Sequence, residues 1–397
     1  MTAAEASDAP WDLVVVGAGP AGSTAALATL RARPGARVLL LDRVDFPRDK
    51  CCGDGIAPHV SDVLRELGAE DVTDGWQPVD QLELSRGDHR VEGTMRRSVW
   101  VIPREVFDAR LVERAVAAGA VLRRHRVSRL QRHGDEVVLD GEIRARVVVG
   151  ADGAESVVRP WLGTGRRGAR ALALRGYAPT PAGGTGRQLI RYGERTQPAY
   201  AWAFDRGDGW SNVGYGELVD RTTGERPTRA LMLEQLEELL PGYVADGTAW
   251  RGHHLPLSGW RWDQPDGPVL LAGDAAGLVN PMTGEGIYYA VATGAAAGRA
   301  AAHALGSGAP GSAGARYRAD VRRQLGRHLK HTWTASWLTR RPVVVHAGIE
   351  AAGRDRHVFD ALVELGLGDG RITPRLSAGL AGALTRPRGR RRTPTEE

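Results

Sequence analysis

The stretch that decides the fold is residues 11–42, WDLVVVGAGPAGSTAALATLRARPGARVLLLD. Residues 13–16 are apolar and mostly β-branched, which predicts a strand buried on both faces. Good helix formers follow at 20–33, and a second apolar run at 37–41 predicts another strand. The order strand, turn, helix, strand indicates the first unit of a parallel α/β sheet.

The turn after the first predicted strand carries Gly17, Gly19 and Gly22. A helix that starts inside such a turn points free backbone N–H groups at a ligand, and phosphate is the natural ligand for them. Asp42 ends the second strand, where an acid is expected to accept hydrogen bonds from ribose hydroxyls. The pattern therefore predicts a binding site for an adenine dinucleotide.

Length and composition describe an ordinary folded protein. The chain has 397 residues, 42% hydrophobic and 25% charged, enough for two closely connected domains. We expect a cytoplasmic location, because no apolar run reaches the length of a membrane span and Glu5 and Asp8 stand where a secretory leader would be basic or apolar. Its two cysteines, Cys51 and Cys52, fit a reducing compartment.

The net charge of +6 raises the question of an acidic partner. Much of the excess lies at 385–397, where Pro and Gly interrupt a run of arginines that we expect to be disordered. No motif that reads nucleic acid accompanies the charge, so we expect no nucleic-acid partner.

A loop is expected after the second strand, at residues 45–58, DFPRDKCCGDGIAP. In a fold that binds a dinucleotide along its strand ends, this loop can pass over the reactive end of the ligand, where Gly53 and Gly55 allow close approach to a flat ring. Cys52 would then lie near that ring. The alternative is that Cys52 is a small buried filler, which is the commonest fate of a free cysteine.

The sequence FPRDKCCGDGIAPHV, beginning at Phe46, resembles the FPR-x-K-x-C-G-x-G loop of the geranylgeranyl reductase family, a branch of the class A flavoprotein monooxygenase fold. It is also similar to the loop of bacterial menaquinone reductases. Cys51 stands where many members have proline, and Cys52 aligns with the family cysteine. The resemblance implies that the dinucleotide is FAD and that Cys52 takes part in catalysis.

Two later segments extend the resemblance. Residues 151–159, ADGAESVVR, are similar to the DG-x-x-S-x-x-R motif of the same fold, although Asp-Gly alone is an ordinary turn signal. Residues 269–287, VLLAGDAAGLVNPMTGEGI, match its GD motif and lead into a helix whose positive end would face the flavin. Arg104 falls where this fold places an arginine on the cofactor, although a solvated charge in a first helical turn is the alternative. The expected FAD contacts are Gly17, Gly19, Gly22, Asp42, Arg43, Cys52, Gly53, Arg104, Val127, Asp152, Gly153, Gly273, Asp274, Pro281, Gly284, Gly286 and Ile287. We expect no metal site.

The region 163–262 changes character, because alternating segments replace helical periodicity, which predicts an antiparallel sheet. Its segment YAWAFD resembles the family's Y-x-W-x-F-P, with Asp205 in place of proline. Trp202, Phe204 and Tyr215 are expected to line an apolar substrate cavity, although sheet aromatics more often serve packing.

A long helix is predicted at 316–338, with apolar side chains at four-residue spacing and basic residues around them. Such a helix either packs on its own domain or lies on a membrane surface and admits a lipid substrate.

The predicted fold class is α/β: a Rossmann-like FAD-binding domain, an inserted antiparallel-sheet substrate domain and a helical C-terminal region. The FAD-binding domain is assigned to 1–75, 101–162 and 265–308, and the substrate domain to 76–100 and 163–264. The remaining parts are the C-terminal helices, 309–384, and the basic tail, 385–397.

The predicted function is FAD-dependent reduction of a carbon–carbon double bond in a hydrophobic, isoprenoid-type substrate, with the proton supplied from Cys52 or from the opposite side. Oxygen insertion into a lipophilic natural product is the alternative, and ligand sequestration without turnover is a third. No second dinucleotide motif is present, so electrons would come from transiently bound NADPH or from an electron-donor protein.

Overall fold

The computed structural model describes residues 9–164, 169–219 and 227–385. The strands are, in chain order, β1 (Trp11–Val16), β2 (Val38–Asp42), β3 (Gly55–Ile56), β4 (Pro78–Arg86), β5 (His89–Val101), β6 (Val121–Arg124), β7 (Leu130–His133), β8 (Glu136–Leu139), β9 (Ile143–Gly150), β10 (Arg170–Pro179), β11 (Arg187–Tyr192), β12 (Tyr200–Asp205), β13 (Trp210–Leu218), β14 (Thr248–Pro256) and β15 (Val269–Leu271). The helices are α1 (Pro20–Ala32), α2 (Pro58–Leu67), α3 (Arg104–Ala117), α4 (Val158–Trp161), α5 (Arg229–Leu239), α6 (Ile287–Gly306), α7 (Ala313–Thr339), α8 (Pro342–Arg354), α9 (Arg356–Leu367) and α10 (Pro374–Leu384).

The first sheet is built around β1, which lies between the parallel strands β2 and β9. Val14 pairs with Leu39 on one side and Val148 on the other, and all three are fully buried, as continuous apolar strands of a covered parallel sheet must be. The strand order is β6-β2-β1-β9-β8-β7, and β15 joins in parallel at the far end of β9. The Rossmann-like core is confirmed, and β15 returns to it from late in the chain.

Helices α1 and α6 cover this sheet and approach each other closely, because small residues line their contact. A Cβ atom added at Gly294 would lie 2.2 Å from the Ala21 carbonyl oxygen. The Thr24 and Thr29 hydroxyls donate across the contact to the carbonyls of Val291, at 3.3 Å, and Gly298, at 3.1 Å. The late segment is thereby fixed against the first helix.

The second sheet has the order β14-β10-β13-β12-β11-β4-β5-β3. Its pairs are antiparallel except for the parallel pair of β11 and β4. Early strands β4 and β5 thus join late strands, which confirms an inserted antiparallel-sheet layer. The short strand β3 corrects the expectation that 45–58 is loop throughout: Ile56 is buried and pairs with Trp100 at the end of β5.

Of the C-terminal helices, α7 packs on α6 and β15, whereas α8 and α9 pack on β4 and β5 of the second sheet. Helix α7 buries Tyr317, Val321, Leu325 and Leu329, whereas Trp333 and Trp337 are exposed. Packing on its own domain therefore accounts for most of the helix. Within the described ranges, no helix is long and apolar enough to cross a bilayer. The division of the chain into seven segments stays a prediction. From residue 386 onward, the basic tail lies outside the described residues.

Candidate active site

A cavity of about 1260 Å³ runs from the first sheet, along one face of the second sheet, to the C-terminal helices. At its polar end it is lined by residues that directly follow β1, β2, β9 and β15. The carboxyl ends of parallel strands meet at one edge, where ligands of open α/β sheets bind. The three segments identified in the sequence come together at this edge.

The first glycine of the turn after β1 has no room for a side chain. Gly17 has φ +99°, and a Cβ atom there would lie 2.4 Å from the Ala151 carbonyl oxygen. Helix α1 follows Gly19 without a side-chain cap, so its first N–H groups face the cavity. Gly22 does not line the cavity: it packs against the Gly17 carbonyl, which lets helix and strand approach.

Asp42 ends β2 and is buried, and its carboxylate accepts a hydrogen bond of 2.9 Å from the Ala18 N–H. Arg48 from the following loop lies beside it, 3.9 Å from the Asp42 carboxylate and 3.3 Å from that of Asp108. The sequence interpretation missed Arg48, although a basic residue in this loop was a signal for phosphate. Arg43 is exposed and, with buried Val127, lines the far polar end.

The second segment, after β9, turns at Gly153 with φ +82°. One oxygen of Asp152 accepts the Val157 N–H at 2.7 Å, whereas the other is buried without a partner among the described residues. Burial raises the pKa of Asp152, against the effect of its hydrogen bonds. Arg159 is buried and donates to the carbonyls of Ala275 and Asp274, which joins the second segment to the third.

The third segment follows β15 and places Asp274 in the cavity, 3.1 Å from the Lys50 ammonium. Burial would raise the pKa of Asp274, but Lys50, His253 and Arg104 together outweigh burial and hold the pKa below its ordinary value. Lys50 was also missed from the sequence. Gly273, an expected FAD contact, has φ +59° and lies behind the cavity wall rather than in it. The cavity-lining residues of this segment before and at the start of α6 are Asp274, Val279, Pro281, Met282, Thr283, Gly284, Glu285, Gly286 and Ile287.

The loop that carries Cys52, here called the cysteine loop, is hydrogen-bonded to the second sheet. Asn212 donates to the Cys52 carbonyl at 2.9 Å and to the Asp54 carboxylate at 2.8 Å, and Tyr177 donates to the same carboxylate at 2.6 Å. Cys52 and Gly53 line the cavity, and burial raises the pKa of the Cys52 thiol. Asp54 was not identified from the sequence.

Arg104 is buried rather than solvated, which excludes the alternative of a surface charge. Its guanidinium makes two hydrogen bonds, of 2.6 and 2.8 Å, to Asp108 one helical turn later. It also interacts with the Cys52 thiol and lines the cavity. Arg104, fixed by Asp108, therefore helps to hold the loop that carries Cys52.

Beyond the loop the cavity becomes apolar and aromatic. Trp202 and Phe204 line this part of the cavity. The expectation for Tyr215 was wrong: it pairs with Ala201 rather than with Trp202, so it projects to the other face and packs under α5. Asp205 ends β12 in a structural role, accepting hydrogen bonds from Thr180 and Gly186. The apolar wall of the C-terminal helices comprises Ala335, Leu338, Val344, Val345, Gly348, Ile349, Leu362, Val363, Leu365, Leu376, Leu380, Ala381 and Leu384.

These residues fit FAD. An uncapped helix start suits a diphosphate, and Arg48 beside it supplies positive charge. The unpartnered oxygen of Asp152 and the carboxylate of Asp274 are acceptors for hydroxyl groups. The cavity continues past this polar end into apolar space large enough for a second, hydrophobic molecule.

Comparison with known proteins decides the family. Residues 11–180 match the FAD binding domain family. The chain is 33% identical over 322 residues to a menaquinone reductase of Mycolicibacterium smegmatis, covering 75% of this chain and 76% of that protein. The chain belongs to the geranylgeranyl reductase family of FAD-dependent oxidoreductases.

A second sequence relative and one solved structure also match most of the chain. Digeranylgeranylglycerophospholipid reductase 1 of Methanopyrus kandleri is 33% identical over 331 residues, covering 74% of this chain and 81% of that protein. The crystal structure of a geranylgeranyl bacteriochlorophyll reductase-like protein from Thermoplasma acidophilum superposes with a TM-score of 0.76 at 19% identity, over 94% of this chain and 99% of the other. This reductase-family member thus shares its fold over nearly the whole chain.

Proposed function

We propose that this reductase-family protein reduces an isolated carbon–carbon double bond of a hydrophobic, isoprenoid-type substrate. The observation that carries the proposal is the apolar continuation of the cofactor cavity, walled by Trp202, Phe204 and the C-terminal helices. A long hydrocarbon gains about 25 cal/mol for each Å² of apolar surface that leaves water, so such a cavity selects a lipid-like substrate. The two sequence relatives are named as reductases of a menaquinone and of a digeranylgeranyl lipid, which supports this substrate class.

The cofactor contacts are part of the proposal. FAD supplies hydride chemistry when bound. The first α1 turn and Arg48 hold its diphosphate, and Asp42, Asp152 and Asp274 accept hydrogen bonds from its hydroxyl groups. The contacts expected from the sequence that line the cavity are Gly17, Gly19, Asp42, Arg43, Cys52, Gly53, Arg104, Val127, Asp152, Gly153, Asp274, Pro281, Gly284, Gly286 and Ile287.

Cys52 contacts the reacting double bond in this proposal. It lies where the polar and apolar parts of the cavity meet, and Asn212, Asp54 and Arg104 fix its loop. An unactivated alkene is hard to reduce, so the surrounding apolar wall serves to keep water from the reduced site.

The experiment is anaerobic turnover of the chemically reduced FAD-loaded protein with an unsaturated isoprenoid, read by product mass. Addition of two hydrogen atoms is expected. Gain of one oxygen atom, in a parallel aerobic reaction only, would identify a monooxygenase instead. Unchanged substrate under both conditions would contradict catalysis and leave ligand binding.

Electrons reach the cofactor from outside the chain's own dinucleotide site, either from NADPH that binds transiently or from an electron-donor protein. The sequence contains no second glycine-rich dinucleotide motif, which favours such a transient encounter. Anaerobic mixing of the oxidised protein with NADPH tests this directly. Rapid bleaching of the flavin absorbance would assign NADPH, and an unchanged spectrum would assign a donor protein.

Peripheral membrane contact is also proposed, at the helical end of the cavity. Leu384, Trp337 and Val343 are exposed. Leu384 itself lines the cavity, as do Leu338 and Val344, which are next in sequence to the other two. Co-sedimentation with anionic vesicles is expected, and it should weaken when Trp337 and Leu384 are replaced by Ser. Equal recovery in the supernatant with and without vesicles would contradict this contact.

A further inference from the structure

The acids that line the cavity differ in how their charge is balanced. Five are in ion pairs within the described part of the chain: Asp42, Asp49, Glu155, Glu217 and Asp274. Three have no ion pair among the described residues: Asp54, Asp152 and Glu285. A carboxyl group in a largely desolvated site that lacks a direct ion-pair partner favours its protonated form, so these three are the candidates for a proton donor.

Asp54 and Asp152 are already engaged in holding the fold. Asp54 is completely inaccessible, and its carboxylate receives the hydrogen bonds of Tyr177 and Asn212 that fix the cysteine loop. Asp152 accepts the N–H groups of Val157 and Val158 at the start of α4. Asp54 is therefore closed to a ligand, and Asp152 belongs to the polar end of the cavity, where the residues after β9 lie.

Glu285 is placed differently, between Gly284 and Gly286 immediately before α6. One carboxyl oxygen accepts the Tyr288 N–H at 2.8 Å, which orients the group, and the side chain lines the cavity. The preceding loop is fixed because Tyr200, from the aromatic face of the second sheet, donates to the Thr283 carbonyl. The carboxyl thus lies where the cofactor end joins the aromatic part.

The groups around Glu285 come from several elements. Three ionisable groups interact electrostatically with the Glu285 carboxyl: Arg104 from α3, Asp274 from the loop after β15, and Cys52. Tyr200 from β12 and Tyr289 from α6 also lie within its electrostatic reach.

Burial dominates in this setting. It raises the pKa of Glu285 to about 7, with Asp274 acting in the same direction and the α6 amides and Arg104 acting against it. An acid with a pKa near the working pH can both release and regain a proton. Burial also raises the pKa of the Cys52 thiol, which makes the thiol the weaker acid of the two.

We propose that Glu285 is the acid that protonates the substrate double bond, while Cys52 positions that bond. One alkene carbon accepts a hydride, which carries two electrons from the reduced FAD, and the other accepts the proton of the Glu285 carboxyl. The π bond breaks, two C–H bonds form, FAD is left oxidised, and the Glu285 carboxylate regains its proton from solvent. This assignment rests on the proposed reductase function.

The first test needs no substrate. Infrared difference spectra of the FAD-loaded protein between pH 5 and pH 9 should contain a protonated-carboxyl band that disappears around pH 7. Burial also raises the pKa of Asp54 to about 6, so the Asp54→Asn variant is measured in parallel to separate its band from that of Glu285. The Glu285 band should be absent in Glu285→Gln and retained in Asp54→Asn and in the control Glu113→Gln, an exposed glutamate on α3. A Glu285 carboxyl that is fully ionised at pH 6 would overturn the proposal. This outcome is independent of whether any isoprenoid is reduced.

The second test measures single turnover after anaerobic chemical reduction, so that electron supply does not limit the rate. The wild-type rate should fall as pH rises through about 7, because the acid must be protonated. Glu285→Gln should lose this pH dependence and about 10²- to 10⁴-fold in the maximal single-turnover rate, with the substrate concentration that gives half of that rate little changed. Glu285→Asp should keep the pH dependence at a reduced rate. Wild-type rate and profile in Glu285→Gln would overturn the assignment, whereas absence of a reduced product from wild type would overturn the reductase function itself.

Discussion

At the scale of single residues, the loop between β2 and β3 supplies the charges that the cavity acids need. Arg48 stands between Asp42 and Asp108, and Lys50 stands beside Asp274. Arg48 places positive charge beside two buried carboxylates, and Lys50 helps to hold the pKa of Asp274 below its ordinary value, so that this carboxylate can accept hydrogen bonds from a ligand. The loop thus completes the polar end of the site as well as carrying Cys52.

Cys52→Ala tests the positioning role of the thiol. We expect normal FAD binding, because the loop is held through the Cys52 backbone carbonyl, and a slower single-turnover reduction, by about tenfold or more. Stopped-flow measurement of flavin reoxidation by substrate gives the rate, and the pH at which that rate falls should not move. An unchanged rate would remove Cys52 from the mechanism.

Asp54 makes stability depend on pH. Burial raises its pKa from 3.8 to about 6, against Arg175 and two hydrogen bonds. The folded state holds this proton more tightly than the unfolded chain does. The stabilising contribution of Asp54 to the free energy of unfolding is therefore fully present below about pH 4 and is lost as pH rises through 6. Between these limits the loss is on the order of 3 kcal/mol.

Urea unfolding of wild type and Asp54→Asn at pH 4.5 and pH 7 measures this dependence. Between pH 4.5 and pH 7, the wild-type free energy of unfolding should decrease by more than that of the variant, because only the wild type has the Asp54 carboxyl. Parallel pH dependence in the two proteins would contradict a raised pKa for Asp54.

At the scale of elements, the contact between α1 and α6 holds the first and third cofactor segments together. Gly294→Ala places a methyl group against the Ala21 carbonyl, so the helices must separate. We expect a loss of about 1–3 kcal/mol in unfolding free energy and weaker FAD binding. Chemical denaturation and FAD titration measure both effects.

Gly382→Ala on α10 is the matched control, since a Cβ atom there meets open space. It should be neutral or slightly stabilising, because alanine is the better helix former. Equal stability of Gly294→Ala and Gly382→Ala would contradict the close helix contact.

Elements were more predictable from the sequence than contacts between them. The strand at 13–16 and the helix start at Pro20 follow from local patterns, since apolar runs and glycine spacing are local signals. The side of the sheet to which Tyr215 projects depends on register, and a shift of one residue reverses it. Arg48 and Glu285 acquire their importance only through neighbours distant in sequence.

At the scale of the whole molecule, the cavity joins two layers with different tasks. The first sheet and its loops supply polar groups for a dinucleotide, and the second sheet with the C-terminal helices supplies an apolar channel. The length of this channel should set the length of the accepted hydrocarbon.

Gly348→Leu tests that relation, because Gly348 lines the cavity on α8 opposite Leu380 of α10. The larger side chain should raise KM several-fold for long isoprenoids and leave short ones unaffected. Steady-state kinetics with a series of chain lengths provides the measurement, with Gly382→Leu on the open side of α10 as control. A uniform effect on all lengths would contradict a channel that runs between these helices.

The central claim is that three separate segments form one FAD site. The most direct measurement is the absorbance spectrum of the purified protein, with and without added FAD, followed by titration of any apoprotein. We predict a yellow protein that holds about one FAD per chain, and weaker binding when Asp274 is replaced by Ala. A colourless protein that does not bind added FAD would contradict the account.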